Sequence, residues 1–343
     1  MPDKYSLIPR GSLILVTGAN GYIASHVINI LLQEGFNVRG TVRAPKPWLN
    51  KYFDETYGED RFETVLVPSM DEPGVWNQVM DGVSGVIHLN RKAMDMSFSS
   101  DPHITIPWIK RTTVNILEAA ASQKSVKRFV LTSSSWAVII PTPNEHGVRV
   151  DENTWNEASI KAAWDESTPA EERPYHIYSA SKATQEQEAW KWVKDHQPGF
   201  QLNVVVPNTN YGKILLPEIR GSCMAWLRDV LKGDDWVIRQ FPPQWFVNVE
   251  DSARLHVVAL LNPRVNDERI FAFAAPFNWT DIIKILRKLR PNNKLIPDPP
   301  PNEGRDLTEV VLSRRAEQLL CDFFGRTGWV GLEESIADGI EGC

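Results

Sequence analysis

The stretch Ser12-Leu-Ile-Leu-Val-Thr17-Gly18-Ala-Asn-Gly21-Tyr-Ile-Ala24 decides the fold. Its first six residues form a short apolar run of strand type, and Ser25 to Gln33 carries the spacing of an amphipathic helix. The turn between them has the strand–turn–helix context of a dinucleotide fingerprint. Gly18 permits the tight turn, Gly21 lets backbone approach a pyrophosphate, and Ala24 allows close packing of helix on strand. A helix that starts there offers its first N–H groups to phosphate oxygens.

Outward from this stretch, apolar runs recur at 13–17, 36–42, 62–67, 84–89 and 127–132, separated by helical or loop stretches. The alternation predicts an α/β fold, a Rossmann-type doubly wound parallel sheet. A polar stretch from Pro141 to Pro174 contains Trp155 and Trp164, so it is expected to be packed. Gln201-Leu-Asn-Val-Val-Val206 is a further strand, ending at Pro207-Asn208. Beyond it, helical pieces at 222–232, 250–261, 279–289 and 313–324 alternate with proline-rich loops. This pattern predicts residues 1–206 as the dinucleotide-binding domain with the catalytic helix. Residues 207–343 are then mainly a smaller substrate lobe over the strand ends, with some segments returning to the sheet.

Tyr178-Ser-Ala-Ser-Lys182 places a phenol and an ammonium one turn apart on a helix face. A nearby ammonium favours the phenolate and is expected to lower the tyrosine pKa, giving an acid/base pair for carbonyl–alcohol interconversion. Arg128-Phe-Val-Leu-Thr-Ser-Ser134-Ser135 is an apolar strand ending in hydroxyls, one of which can hold a substrate oxygen. Chemistry alone does not choose among Thr132, Ser133, Ser134 and Ser135.

Composition narrows the class. Of 343 residues, 42% are hydrophobic and 23% charged, as in ordinary globular proteins. The net charge of −6, with no long basic run, disfavours nucleic acid as a partner. Met1 to Arg10 lacks an apolar signal core and no stretch reaches membrane-spanning length, so a cytoplasmic protein with no membrane partner is expected. The three widely spaced cysteines predict neither a disulfide framework nor a metal site. Monomer and homodimer stay open.

These motifs, in this order, resemble the extended short-chain dehydrogenase/reductases. Within them the chain looks most like yeast NADPH-dependent aldehyde (carbonyl) reductases, relatives of plant dihydroflavonol and cinnamoyl-CoA reductases. The likeness covers nearly the whole chain. It includes Leu15-Val-Thr-Gly-Ala-Asn-Gly-Tyr, Val38-Arg-Gly-Thr-Val-Arg43, Ser125 to Ser134, Tyr178 to Lys182 and Pro242-Pro-Gln-Trp-Phe-Val-Asn-Val-Glu-Asp251. The resemblance implies Ser134, Tyr178 and Lys182 as catalytic residues. The chain departs from the family at Asn90-Arg91 after the fourth strand, at Thr112 where the family has a small glycine, and at Ser69 where it has an aspartate.

The second strand ends Thr41-Val-Arg43, and the next acid is Asp54, so no carboxylate stands ready for a ribose 2′-hydroxyl. Arg43 can pair with a 2′-phosphate, which favours NADPH (NADP+). Arg39 is expected to be a solvated strand residue. The candidate cofactor-binding residues are Thr17, Gly18, Asn20, Gly21, Tyr22, Ile23, Arg43, Met70, Tyr178, Lys182, Pro207 and Asn208. The candidate pocket for a small-molecule carbonyl substrate is Asn90, Tyr211, Met224, Trp226, Gln244, Trp245 and Phe246. His88 and His256 are expected to be structural. The expected activity is NADPH-dependent reduction of aldehydes, bulky or aromatic ketones, or keto esters. The rivals are a nucleotide-sugar epimerase or dehydratase on the same scaffold, and a non-enzymatic NADP sensor.

Overall fold

The computed structural model describes residues 6–89 and 101–343. The first half runs β1 (Leu13–Val16), α1 (Tyr22–Gln33), β2 (Asn37–Val42), α2 (Pro47–Tyr57), β3 (Phe62–Leu66), β4 (Val83–His88), α3 (Pro102–Ser122), β5 (Arg128–Thr132), β6 (Arg149–Val150), α4 (Glu157–Trp164), α5 (Arg173–His196) and β7 (Gln201–Pro207). The second half adds β8 (Thr209–Tyr211), α6 (Cys223–Val230), α7 (Trp236–Gln240), β9 (Gln244–Asn248), α8 (Val249–Leu261), β10 (Arg269–Ala272), β11 (Ala275–Phe277), α9 (Trp279–Leu289), β12 (Glu309–Val310), α10 (Ser313–Phe324) and α11 (Leu332–Gly339).

Seven strands pair in the order β10-β7-β5-β4-β1-β2-β3, every pairing parallel. The strands read as near-continuous apolar runs because both faces are covered. Alternate side chains go to opposite layers. Ile14, Val16, Val130 and Val205 join α1, α8 and α10 in one core. Leu15, Phe129, Leu131, Val204 and Val206 join α3 and α5 in the other. The chain leaves β1 toward β2 and β3, then returns to place β4 on the far side of β1. That reversal opens a crevice at the strand ends, where such sheets bind ligands.

A three-stranded sheet, β11-β9-β8, stands apart. With α6, α7, α9 and α11 it surrounds a third core containing Phe246, Phe277, Trp279 and Ile282. β10, late in the chain, returns to the edge of the large sheet beside β7. Among the described residues no helix is long and apolar enough to cross a membrane.

Helix α1 starts at Tyr22, three residues before the expected Ser25, because Gly21 is already its extended N-cap. Asn156, Asn248 and Asn278 cap α4, α8 and α9 through their side chains, whereas α1 has neither a side-chain cap nor an acid in its first turn. Its N-terminal partial charge is left for an anion. Thr112 is fully buried, and its hydroxyl donates to the Ile109 carbonyl at 3.0 Å, so the residue fits where a glycine was the family pattern.

Candidate active site

Gly18 follows β1 with φ of +64°, and a Cβ there would lie 2.9 Å from the Leu89 carbonyl oxygen. The turn therefore needs glycine twice over, for its left-handed backbone and for the close approach of the β4 end. Thr17 fastens the two strand ends: its hydroxyl donates to the Leu89 carbonyl at 3.0 Å and accepts from the Leu89 N–H at 2.9 Å. Gly18, Gly21, Tyr22, Ile23 and Ala24 form one wall of a cleft.

The opposite wall comes from β5 and α5. Past Thr132 the chain makes one 3₁₀ turn, Ser135–Ala137, which Ser134 caps. Ser134 Oγ accepts from the Trp136 N–H at 3.3 Å and from the Tyr178 hydroxyl at 3.3 Å. Both of its lone pairs are thus used, and its own hydrogen has no acceptor among the described residues. Lys182 Nζ donates to the Thr132 carbonyl and to Gln185 Oε1, each at 2.8 Å. Two of its three hydrogens are engaged, and the residue lines the cleft. Ser133 lines the same cleft but commits its hydroxyl to Glu186 Oε2 at 2.6 Å. This buried bond separates the adjacent serines: Ser133 anchors the loop and Ser134 keeps its hydrogen for the cleft.

Burial pushes the Tyr178 phenol up to about 12; the Ser134 hydrogen bond opposes this, and the nearby Cys223 thiol adds to it. The expected downward pull of Lys182 is not among the causes that set this value. Burial brings the ammonium itself down to about 8, with Glu186 opposing. At neutral pH the phenol is protonated and the lysine charged, which is the proton-donating form of the pair. His88 is brought down to about 3 by burial and by the Lys182 charge, and its Nδ1 lies 3.1 Å from Thr17 Oγ1. His256 is brought down to about 4 by burial and bridges Thr132 Oγ1 at 2.9 Å and the Ser252 carbonyl at 2.7 Å. Both imidazoles are neutral braces of the strand ends.

The residues matched by the NAD dependent epimerase/dehydratase family run from 14 to 272 and span both walls of this cleft. The chain belongs to that family, in its extended short-chain dehydrogenase/reductase form. It is 45% identical over 335 residues to a ketoreductase of Aspergillus novofumigatus, covering 97% of each chain. It is 39% identical over 339 residues to aldehyde reductase 2 of Sporidiobolus salmonicolor, covering 97% of this chain and 96% of that one. The yeast methylglyoxal/isovaleraldehyde reductase Gre2, solved with NADPH, superposes with a TM-score of 0.75 over 95% of this chain and 96% of its own. At 21% identity that likeness is one of fold.

Pro207 and Asn208 also line the cleft of this family member, as do Trp226 and Gln244. Asn90 lies outside the described residues. Arg43 is exposed one residue past the end of β2. Thr17, Asn20, Arg43 and Met70 are not part of the cleft wall, and Met70 packs partly buried against the α3 side of the sheet. Arg39 is not solvated: it donates to Glu63 at 2.7 Å and to the Val79 and Asp81 carbonyls at 2.9 and 2.8 Å. Ser69 donates to Asp71 at 2.6 Å, which brings a carboxylate to that position from two residues on.

Four expected pocket residues are corrected. Tyr211, Met224 and Phe246 are buried in the third core and do not reach the cleft. On α6, Cys223 and Trp226 share the cleft side while Met224 turns to α11, where it leaves no room for a Cβ on Gly339. On β9, alternation puts Gln244 toward the cleft and Trp245 on the opposite face, edge-on to Phe273 at 6.0 Å. In place of these residues the structure brings in Trp136 and Phe241, whose rings lie 5.7 Å apart. Trp226 stacks on Phe241 at 5.0 Å. Trp245→Ala is accordingly expected to lower stability by about 2–3 kcal/mol, below the loss for a fully buried tryptophan. It should leave the product enantiomer ratio unchanged. A shifted ratio with an unchanged melting temperature would return Trp245 to the pocket.

Proposed function

We propose that this chain reduces a bulky, largely apolar ketone or aldehyde with NADPH. In this reading Ser134 holds the carbonyl oxygen, Tyr178 protonates it, and Lys182 orders the cofactor side of the site. The observation that carries the reading is the Ser134 hydroxyl. Its lone pairs are filled by Tyr178 and Trp136, so its hydrogen is left for an oxygen in the cleft. The Tyr178 hydroxyl lies 3.3 Å from Ser134 Oγ, so a substrate oxygen beside the serine can take the Tyr178 hydrogen in place of Ser134 and accept from both side chains. The relatives named ketoreductase and aldehyde reductase support this activity over the epimerase one.

The residues present fit the dinucleotide. Gly18 and Gly21, the two residues of the turn that line the cleft, carry no side chain to exclude a pyrophosphate, and the uncapped N-terminus of α1 faces the same cleft. Gly18 to Ile23 would hold the phosphates, Arg43 the 2′-phosphate, and Lys182, Pro207 and Asn208 the nicotinamide end. When bound, NADPH supplies the hydride. The chain's own work is to orient the carbonyl, to exclude water with Trp136, Trp226 and Phe241, and to deliver a proton from Tyr178. The aromatic lining favours an apolar body around the carbonyl, and the buried Gln244 adds a polar group to it.

Residues 1–206 would then bind the dinucleotide and 207–343 mainly the substrate. A cytoplasmic setting agrees with three cysteines that form no disulfide. The test is to incubate the protein with NADPH and a panel of small aldehydes, aryl ketones, keto esters and nucleotide sugars, following absorbance loss and products. Turnover of nucleotide sugars without net NADPH oxidation would overturn the proposal.

Arg43→Ala is expected to weaken NADPH by roughly ten- to a hundred-fold, the range of one charge-assisted hydrogen bond, while NADH binding barely moves. Titrating both cofactors by fluorescence checks this. Equal weakening would remove Arg43 from the 2′-phosphate role.

A further inference from the structure

We infer that Gln185 is a positioning residue for Lys182, its carboxamide oxygen holding the ammonium against the Thr132 carbonyl at the floor of the cleft. The inference rests on the proposed role of Lys182 in carbonyl reduction.

Gln185 is fully buried on α5, three residues beyond Lys182. Its Oε1 takes a Lys182 hydrogen at 2.8 Å, while its Nε2 finds no partner among the described residues. An unpaired buried amide is unfavourable, and an apolar side chain of equal length would avoid it. What a carboxamide adds at this position is the acceptor.

The two groups that hold Nζ, the Thr132 carbonyl and the Gln185 amide, are both uncharged. The titratable groups around them do not replace the acceptor. On α5, Glu186 is occupied by Ser133 and by Arg269 from β10, and Tyr178 donates to Ser134. From β4, His88 is neutral, and from α8, His256 is neutral and bonded to Thr132. From α6, burial holds the Cys223 thiol up at about 11, so it carries no charge at neutral pH. The charged lysine is therefore held directly by two dipoles in dry surroundings, with the Glu186 carboxylate favouring the charge without bonding to it. A hydrogen bond made only to the charged form favours that form. Gln185 thus sets the pH up to which Lys182 stays an ammonium, and it fixes where that ammonium points.

The experiment measures kcat/KM for NADPH from pH 6 to 9.5 at saturating carbonyl for wild type, Gln185→Met, Gln185→Glu and Lys182→Met. Gln185→Met removes the acceptor at nearly constant volume. Its alkaline limb should fall about one pH unit below wild type, giving about fivefold less activity at pH 8, approaching about tenfold above pH 9, that recovers toward pH 6. Gln185→Glu places an anion on Nζ, and its limb should move to higher pH. A purely structural role would not produce opposite shifts. Limbs that coincide with wild type, or losses equal at every pH, would overturn the inference. If Gln185→Met does not fold, the direction of the Gln185→Glu limb decides. Lys182→Met separates the two readings. Wild-type activity in that variant would sink the role of the lysine itself. A large loss there, with unshifted Gln185 variants, would sink only the positioning role.

Discussion

Replacing Tyr178 by phenylalanine should lower the rate of carbonyl reduction by about 10²–10⁴-fold, the usual contribution of a positioned general acid. The change removes one oxygen and keeps the ring, which packs edge-on against Trp136 at 5.9 Å. Because burial disfavours the phenolate, the oxygen removed is a neutral hydroxyl, and its bond to Ser134 Oγ is long at 3.3 Å. The melting temperature should therefore hold or rise slightly, and NADPH affinity should stay near wild type. Held at about 12, the phenol remains protonated throughout the neutral range, so it imposes no titration on reduction there. An alkaline limb near 8 belongs instead to Lys182, which is charged below that value and neutral above it. Single-turnover kinetics keep product release from hiding the effect. A variant with wild-type turnover in that assay would remove Tyr178 as the acid.

Much of this was legible in the chain because it is local. The turn at Gly18 and Gly21 is set by residues within one strand–helix unit, and the buried strands show as apolar runs. The Tyr178–Lys182 pair follows from helical spacing alone. What could not be read depends on tertiary register. Alternation along Gln244-Trp-Phe246 says that neighbours face opposite ways, but not which of them looks into the cleft. The tryptophan looked the better pocket wall and turned out to pack on Phe273. Trp136 and Phe241 reach the cleft from a 3₁₀ turn and from the residue after α7, positions that carry no periodic signal. The sequence did offer one hint, since Trp136 stands directly after the hydroxyl cluster. Arg39 looked like a solvated strand residue because its partners, Glu63 and the Val79 and Asp81 carbonyls, are 24 to 42 residues away. The Tyr178 pKa was misjudged for a similar reason: the lysine is a helical neighbour, whereas burial is the work of the whole lobe.

The pair Arg269–Glu186 was also invisible, its members lying 83 residues apart, yet it underpins the site. Arg269 donates to both carboxylate oxygens, at 2.7 and 3.3 Å, and to the Glu152 and Thr154 carbonyls at 2.7 and 3.0 Å. Its guanidinium lies 3.9 Å from the Trp155 ring centroid, which shows how the polar stretch before α5 is packed. Glu186 also accepts from Ser133 at 2.6 Å and from Trp190 at 3.3 Å. The side chains of the pair are 6% and 0% exposed, so water cannot replace a lost partner. Arg269→Met should cost about 3–5 kcal/mol, because it leaves a buried carboxylate uncompensated. Two carbonyls lose their donor as well. The double variant Arg269→Met/Glu186→Leu should recover much of the stability, since a buried ion pair replaced by apolar side chains of similar size is often near neutral. It should not recover activity, because Ser133 then loses the acceptor that holds the loop carrying Ser134. Denaturant unfolding of the single and double variants, alongside their reduction rates, tests both halves. A single variant as stable as wild type would mean that the Arg269–Glu186 pair does not hold these elements together. A double variant with full activity would mean that the Ser133 anchor does not position Ser134.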